Sequence, residues 1–439
     1  MLKLNAITSS NDGKRIVYDY QFNGIISKYL SEDDRFFVEY NYDVSEVPDS
    51  IKIIPFLANM LPIVWFSGDE LEVDKVDHAF YEAMDAIKSG FKKLYPDTDL
   101  SKGRITYNEL VTNTYETPLY GMLFSGGADA YATYFRHHEK PVDLITVWGA
   151  DIALDDTEQW ELLVSLNEEE KILKKNKKVY IKSNLRTFYT NDIQYIAPLS
   201  GWWNDVQYGM ALNCVVAPIS HLRGYGTLYI ASSFTDDANI SRGSAPEIDE
   251  SIKWGNTGII HDAGELKRQE KLGIIVNTAK QYEESDLKLR VCHSILNASI
   301  ENSVNCSLCE KCYRTITNII LEDADPNDFG FEVTQHVYQN ILKLFEGGFK
   351  TKQFAYFWGE ISDKISKNEP FHVFSNREEE RQELGKIRAL VQKNLAKGIV
   401  PDSKLDKLKK AFRFHFPKLW AIYMDYRVKQ VLKSKNTIR

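Results

Sequence analysis

Long apolar runs are missing from this chain of 439 residues, it has no excess of basic charge, and it has only five cysteines. Each absence excludes a class of protein. The most apolar stretch, 53–66, is broken by Pro55, Asn59 and Pro62, and it falls short of the ~20 apolar residues that a membrane-spanning helix needs. Lys and Arg total 54 against 62 Asp and Glu, a net charge of −8, which argues against nucleic-acid binding through a basic surface. The local basic run Lys404, Lys407, Lys409, Lys410, Arg413 and Lys418 reads as a solvated helix face. No apolar leader follows Met1-Leu2-Lys3-Leu4-Asn5. The five cysteines therefore read as reduced thiols in the cytoplasm, more suited to a metal than to disulfides. Neither a solenoid-period repeat nor a low-complexity linker is present.

The composition that remains, 43% apolar and 26% charged, is that of an ordinary globular protein, and the length suggests two or three domains. Residues 1–117 read as an α+β domain, with strand-like alternation at 15–20, 35–40 and 104–107. Helical spacing runs over 73–94 (Val76, Phe80, Met84, Ile87, Phe91, Leu94) and stops before Pro96. From 118 the pattern changes. Apolar runs at 119–124, 142–148, 178–181 and 227–231 alternate with helical candidates at 128–138, 155–175 and 205–219. That alternation predicts an α/β fold with a parallel sheet and a ligand at the carboxyl ends of its strands. Beyond Cys312 the chain reads as helical, at 313–322, 332–346, 352–365, 376–396 and 403–434.

The first run of this second region ends in Ser125-Gly126-Gly127-Ala128-Asp129. A buried strand, a tight turn and a helix form a ready anion site. Two glycines let the backbone approach a phosphate, and the helix start offers N–H groups and a favourable dipole. The spacing is neither GxxxxGK[ST] nor GxGxxG. A second signal is Cys306-Ser307-Leu308-Cys309-Glu310-Lys311-Cys312, preceded by Cys292. Zinc takes four tetrahedral thiolate or imidazole ligands, so Cys292 is the natural fourth ligand and His293 the fallback; an iron–sulfur cluster is the chemical alternative. Cys214, in an apolar run, reads as a core residue.

The Ser-Gly-Gly-x-Asp loop resembles that of the PP-loop ATP pyrophosphatases, with Ala130 where that family has its final Ser. Together with the cysteine cluster it is similar to the branch containing 7-cyano-7-deazaguanine synthase, over residues 118–325. Ile230-Ala231-Ser232-Ser233-Phe234-Thr235, the run 242–249 and Asn305-Cys306-x2-Cys309-Glu310-Lys311-Cys312-x-Arg314-Thr315 also look like the group of the ATP-dependent UDP-N-acetylmuramoyl-L-alanyl-L-glutamate epimerase.

These resemblances imply an adenine-nucleotide alpha-hydrolase-like domain at 118–325, leaving an N-terminal domain at 1–117 and a helical region at 326–439. They imply Mg-ATP-dependent adenylation of a carboxylate with release of AMP and pyrophosphate, on a glycan precursor or in deazapurine chemistry. Ser125, Gly126, Gly127, Ala128, Asp129 and Ala130 would bind ATP. Asp129 would lie near the pyrophosphate and help hold Mg2+, and Glu247 and Asp249 would contact substrate or act as base. Glu247 and Asp249 read equally well as the acidic first turn of a Pro-initiated helix. Arg186, Arg242, Lys267 and Arg268 are the cations that follow strands. His261-Asp262 reads as a loop dipeptide first and a proton-transfer pair second, and Trp202-Trp203 as core aromatics. The expected partner is a small-molecule acid or a protein to be modified, with no membrane and no nucleic acid, and a homodimer is allowed. The competing reading is a catalytically weak nucleotide-binding scaffold, which Ala130 and the unmatched flanks favour.

Overall fold

A computed structural model describes residues 1–439 apart from 237, 239, 241, 283–286, 293–303, 366–372, 374–376, 402, 417, 418, 420–422 and 424–439. The chain forms two compact units: residues 1–125, 129–160 and 173–266 make the first, and 126–128, 161–172 and 267–439 the second.

The first unit holds one 11-stranded sheet built from β1 (Leu2–Ser10), β2 (Arg15–Phe22), β3 (Phe37–Tyr40), β4 (Glu70–Asp77), β5 (Arg104–Val111), β6 (Leu119–Leu123), β7 (Val142–Trp148), β8 (Lys178–Ser183), β9 (Tyr225–Ala231), β10 (Lys253–Trp254) and β11 (Thr257–Asp262). Its order is β10-β11-β9-β6-β7-β8-β3-β2-β1-β4-β5. Strands β8, β7, β6, β9 and β11 are mutually parallel neighbours. Counted from β6 they lie 3-2-1-4-5, the doubly wound, Rossmann-like order whose switch point falls between the first and fourth strands. β7 is buried from Val142 through Thr146, as a strand covered on both faces must be. β2 instead alternates buried and exposed, one face inward.

The sheet does not stop at residue 117. β3 pairs antiparallel with β8 (Val38 opposite Ser183), so the strands before that point share hydrogen bonds with those after it. The helix expected over 73–94 begins at His78. Val73 and Val76 lie in β4, and the Asp77 carboxylate caps the helix by accepting from Phe80 N–H at 2.9 Å. The candidate helix 205–219 is broken into Trp203–Gln207, Tyr208–Cys214 and Ala217–Arg223, the last with Pro218 in its first turn. Helix Ile54–Ser67 carries no amphipathic signal because it is buried all round, from Ile54 to Phe66.

The second unit contains helices Arg268–Gln281, Glu310–Ile320, Val337–Phe345, Lys352–Ile365, Arg377–Lys397 and Lys404–His415. Ile341, Phe345, Trp358, Leu384, Ile387 and Val391 are buried, with Phe345 and Trp358 ring centres 4.8 Å apart. Among the described residues no helix is long and apolar enough to cross a membrane.

Candidate functional site

The glycine loop joins β6 to helix Ala128–His137. Two bonds fix where the strand ends: Phe124 N–H donates to Ile145 O at 2.7 Å, and Thr146 Oγ1 donates to Phe124 O at 2.8 Å. The chain then turns through Gly126 at φ 71°, a conformation that costs an L residue roughly 1–2 kcal/mol. Ser125, Gly127 and Asp129 are half-buried; Gly126, Ala128 and Ala130 are buried, Ala130 to 5% exposure. The first helical amides, which have no partner within the helix, are the donors that such a turn can offer an anion. Ala130 adds no hydroxyl to that set, so its donors are backbone amides and the Ser125 side chain.

Carboxylates gather at the same ends of the parallel strands. Burial, then the charges of Asp151, Asp129 and Asp249, push the Tyr208 hydroxyl well above the usual phenol range. Asp129 follows β6, Asp151 follows β7, and Asp249 ends the short helix Pro246–Asp249 after β9. One tyrosine therefore senses three acids from three segments.

Asp249 is fully buried and fully engaged. It accepts from Asn213 Nδ2 at 3.0 Å and Ser244 Oγ at 2.7 Å, and its Oδ2 lies 2.7 Å from His261 Nδ1. A Cβ at Gly209 would come within 2.4 Å of Asp249 Oδ1, so this helix can approach only with a glycine there. The other ring nitrogen, the buried Nε2, has no hydrogen-bond partner among the described residues.

His261 and Asp262 are not a loop pair. They are consecutive residues of β11 and point to opposite faces. Asp262 Oδ1 instead lies 2.8 Å from His137 Nε2, and Asp262 Oδ2 lies 3.3 Å from Arg136 Nε. Burial works to raise the Asp262 carboxyl, yet the hydrogen bond with His137 and the charge of Arg136 hold it below its ordinary value.

Glu247 is exposed on the same helical turn, about 200° round from Asp249. Of the candidate cations, Arg186 donates to Ala150 O at 3.0 Å, and Arg242 donates to Ser244 O at 2.8 Å beside the Asp249 network. Lys267 and Arg268 fall in the second unit, where Arg268 stands 6.0 Å from the Phe357 ring centre. Trp202 is a core residue packed edge-on against Phe66, and Trp203 packs against Tyr208.

The second unit holds the four cysteines. Sulfur–sulfur distances are 3.3 Å (Cys292–Cys306), 3.6 Å (Cys292–Cys309), 3.9 Å (Cys306–Cys312) and 3.5 Å (Cys309–Cys312), and all four sulfurs lie within 4.8 Å of one another. A tetrahedron with metal–sulfur bonds of about 2.3 Å has edges of about 3.8 Å. The set could therefore hold one metal ion such as zinc, whereas a polynuclear iron–sulfur cluster would hold its thiolates farther apart. The turn is tight: Ser307 takes φ 52°, and Cys309 N–H points at Cys306 Sγ from 3.3 Å. Hydrogen bonds with Cys306, Cys309 and Cys312 pull the Cys292 thiol far below its ordinary value, while Cys292, Cys306 and Cys309 push Cys312 far above. Four thiols so close cannot all ionise unaided; a divalent cation lets each act as thiolate. His293 lies outside the described residues.

Two residues near these features gave no sequence signal of their role: Tyr208 carries no motif, and Arg290 donates its backbone N–H to Gly126 O at 2.8 Å although it follows no strand of the sheet. His261 stood out in the sequence, but its acid partner is Asp249, twelve positions away, and not Asp262. Comparison of the chain with protein-family models, with curated proteins and with solved structures finds no match in any of the three.

Proposed function

We propose that this chain is a Mg-ATP-dependent enzyme that adenylates a carboxylate-bearing substrate and releases pyrophosphate, then AMP. The observation that carries the reading is the Ser125–Ala130 turn, with Gly126 at positive φ, at the carboxyl end of the central strand of a 3-2-1-4-5 parallel sheet. In this reading the parallel strands form an adenine-nucleotide alpha-hydrolase-like domain of the PP-loop type.

The chemistry follows from charge. A substrate carboxylate oxygen attacks the α-phosphorus, the bond from that phosphorus to the α–β bridging oxygen breaks, and pyrophosphate leaves behind a mixed acyl-phosphate anhydride. An acceptor nucleophile or water then attacks its acyl carbon, and AMP leaves with the bridging oxygen. Such transfers depend on positioning and charge neutralisation. Backbone amides from Gly126 to Ala130 and the Ser125 hydroxyl would hold the phosphates, and Asp129 with Asp151 would hold the magnesium ion through hard oxygen ligands. Arg186, after β8, and Arg242, after β9, would balance developing charge. The four-thiolate site would hold a structural zinc, with no open position for substrate. The candidate acids are a glycan or cell-wall precursor, or a deazapurine.

The test is direct. Purified protein incubated with Mg-ATP and candidate acids should release AMP and pyrophosphate, resolved by anion-exchange chromatography; ADP as the product would overturn the reading. Asp129→Ala should lower turnover roughly 100-fold with the fold intact by circular dichroism.

A scaffold that binds nucleotide without turning it over is the second reading, and the buried Ala130 in place of a hydroxyl favours it. Ala130→Ser separates the two. If the protein is an enzyme, the restored hydroxyl raises AMP formation several-fold; ATP binding without turnover in both forms would establish the scaffold.

A further inference from the structure

Asn305 is 1% exposed and uses all four hydrogen-bonding positions of its amide. Its Oδ1 accepts from Val291 N–H at 3.0 Å and Cys292 N–H at 3.2 Å; its Nδ2 donates to Leu289 O at 2.7 Å and Gly330 O at 2.9 Å. Flipping the amide would set donor against donor and acceptor against acceptor at each of these contacts, so its orientation is fixed. The segment 289–292 is thus clamped from one side by Asn305 and ends in Cys292, one of the four thiols. Between the clamped residues sits Arg290, whose N–H donates to Gly126 O at 2.8 Å. Within a trans peptide the C=O of one residue and the N–H of the next point opposite ways. The bond from Arg290 therefore fixes the 126–127 peptide plane and turns the Gly127 N–H to the opposite side. Gly126, at φ 71°, is the residue at which that plane would otherwise flip most easily.

We propose that Asn305 and the backbone N–H of Arg290 are positioning residues that transmit the order of the four-cysteine site to the glycine loop, so that a metal bound by the cysteines sets the direction of a phosphate-binding amide. The loop's ligand in this proposal rests on the ATP reading above; the coupling itself does not.

The test uses the full chain in zinc-loaded and chelator-treated forms, with Asn305→Ala and Asn305→Asp beside the wild type. Peptide-resolved hydrogen exchange reads the Arg290 amide and the loop 124–130. Chelation and Asn305→Ala should each accelerate exchange at Arg290 roughly tenfold or more. Asn305→Ala should still carry its metal, and Asn305→Asp, which keeps the two accepted bonds, should recover part of the protection. For Mg-ATP, Asn305→Ala should weaken binding roughly tenfold, about 1.4 kcal/mol, with turnover at saturating ATP changed less than about twofold.

An Arg290 amide that stays protected in metal-loaded Asn305→Ala overturns the coupling, and this variant decides the matter even if chelation unfolds the second unit. Wild-type protein that fails to bind Mg-ATP overturns the ATP reading alone, because the exchange measurement judges the coupling without nucleotide.

Discussion

At the scale of single residues, the chemistry of the first unit converges on Asp249. Its carboxylate accounts for a histidine ring nitrogen, a hydroxyl and an amide, all buried. Removing one buried partner strands the others, at a cost of about 1–3 kcal/mol for each unsatisfied group. Asp249→Ala should therefore destabilise the protein by about 3 kcal/mol or more in urea titration; a loss under 1 kcal/mol would mean the network is already hydrated. Asp262 makes a pH prediction. Its folded value lies below the ordinary carboxylate value, so its contribution is present above about pH 3.9 and is lost as pH falls through the folded value. Removing the main stabilising partner in His137→Ala should move acid unfolding to higher pH, followed by circular dichroism across pH 2–5; an unmoved transition would assign the stabilisation elsewhere.

At the scale of elements, the glycine loop and the four-cysteine site each carry a prediction. A methyl added at Gly126 meets Leu163 Cδ1 at 3.5 Å and Arg290 Cβ at 3.6 Å, ordinary contact distances, so only the backbone term remains. Gly126→Ala should cost about 1–2 kcal/mol by thermal unfolding, together with weaker ATP binding. Elemental analysis should find about one zinc per chain, and Cys309→Ser should lower the cooperativity of unfolding as well as metal content.

Both of these elements were legible in the sequence, because tight turns and thiolate ligands require particular residue types at short spacing. What could not be read has physical causes. Helix Ile54–Ser67 is buried all round and so shows no period. In β4, Val73 and Val76 coincide with positions a helix would also make apolar, which lengthened the expected helix by five residues. β11 ends in His261-Asp262, two polar residues whose partners Asp249 and His137 come from other elements. The clamp by Asn305 joins residues up to 25 positions apart, beyond any local pattern, although its place beside Cys306 was visible.

At the scale of the whole molecule, the parallel strands that carry the loop are not the edge of their sheet. β8 is covered by β3, and Ser183 Oγ donates to Phe37 O across 146 positions of sequence. Truncation before residue 118 should therefore yield insoluble protein, since it bares β8 along its length; a soluble, monomeric 118–439 fragment would show that the pairing is dispensable.

The same pairing sets a clock on synthesis. A ribosome adding roughly 5–20 residues per second leaves β3 without its neighbour for about 7 to 30 seconds after it emerges. For that interval the nascent chain presents one unsatisfied strand edge, that of Phe37–Tyr40 facing away from β2, to whatever else is folding nearby. Slower translation between residues 40 and 183 should lengthen that exposure and raise the fraction captured by holding chaperones, whereas slowing beyond 183 should not.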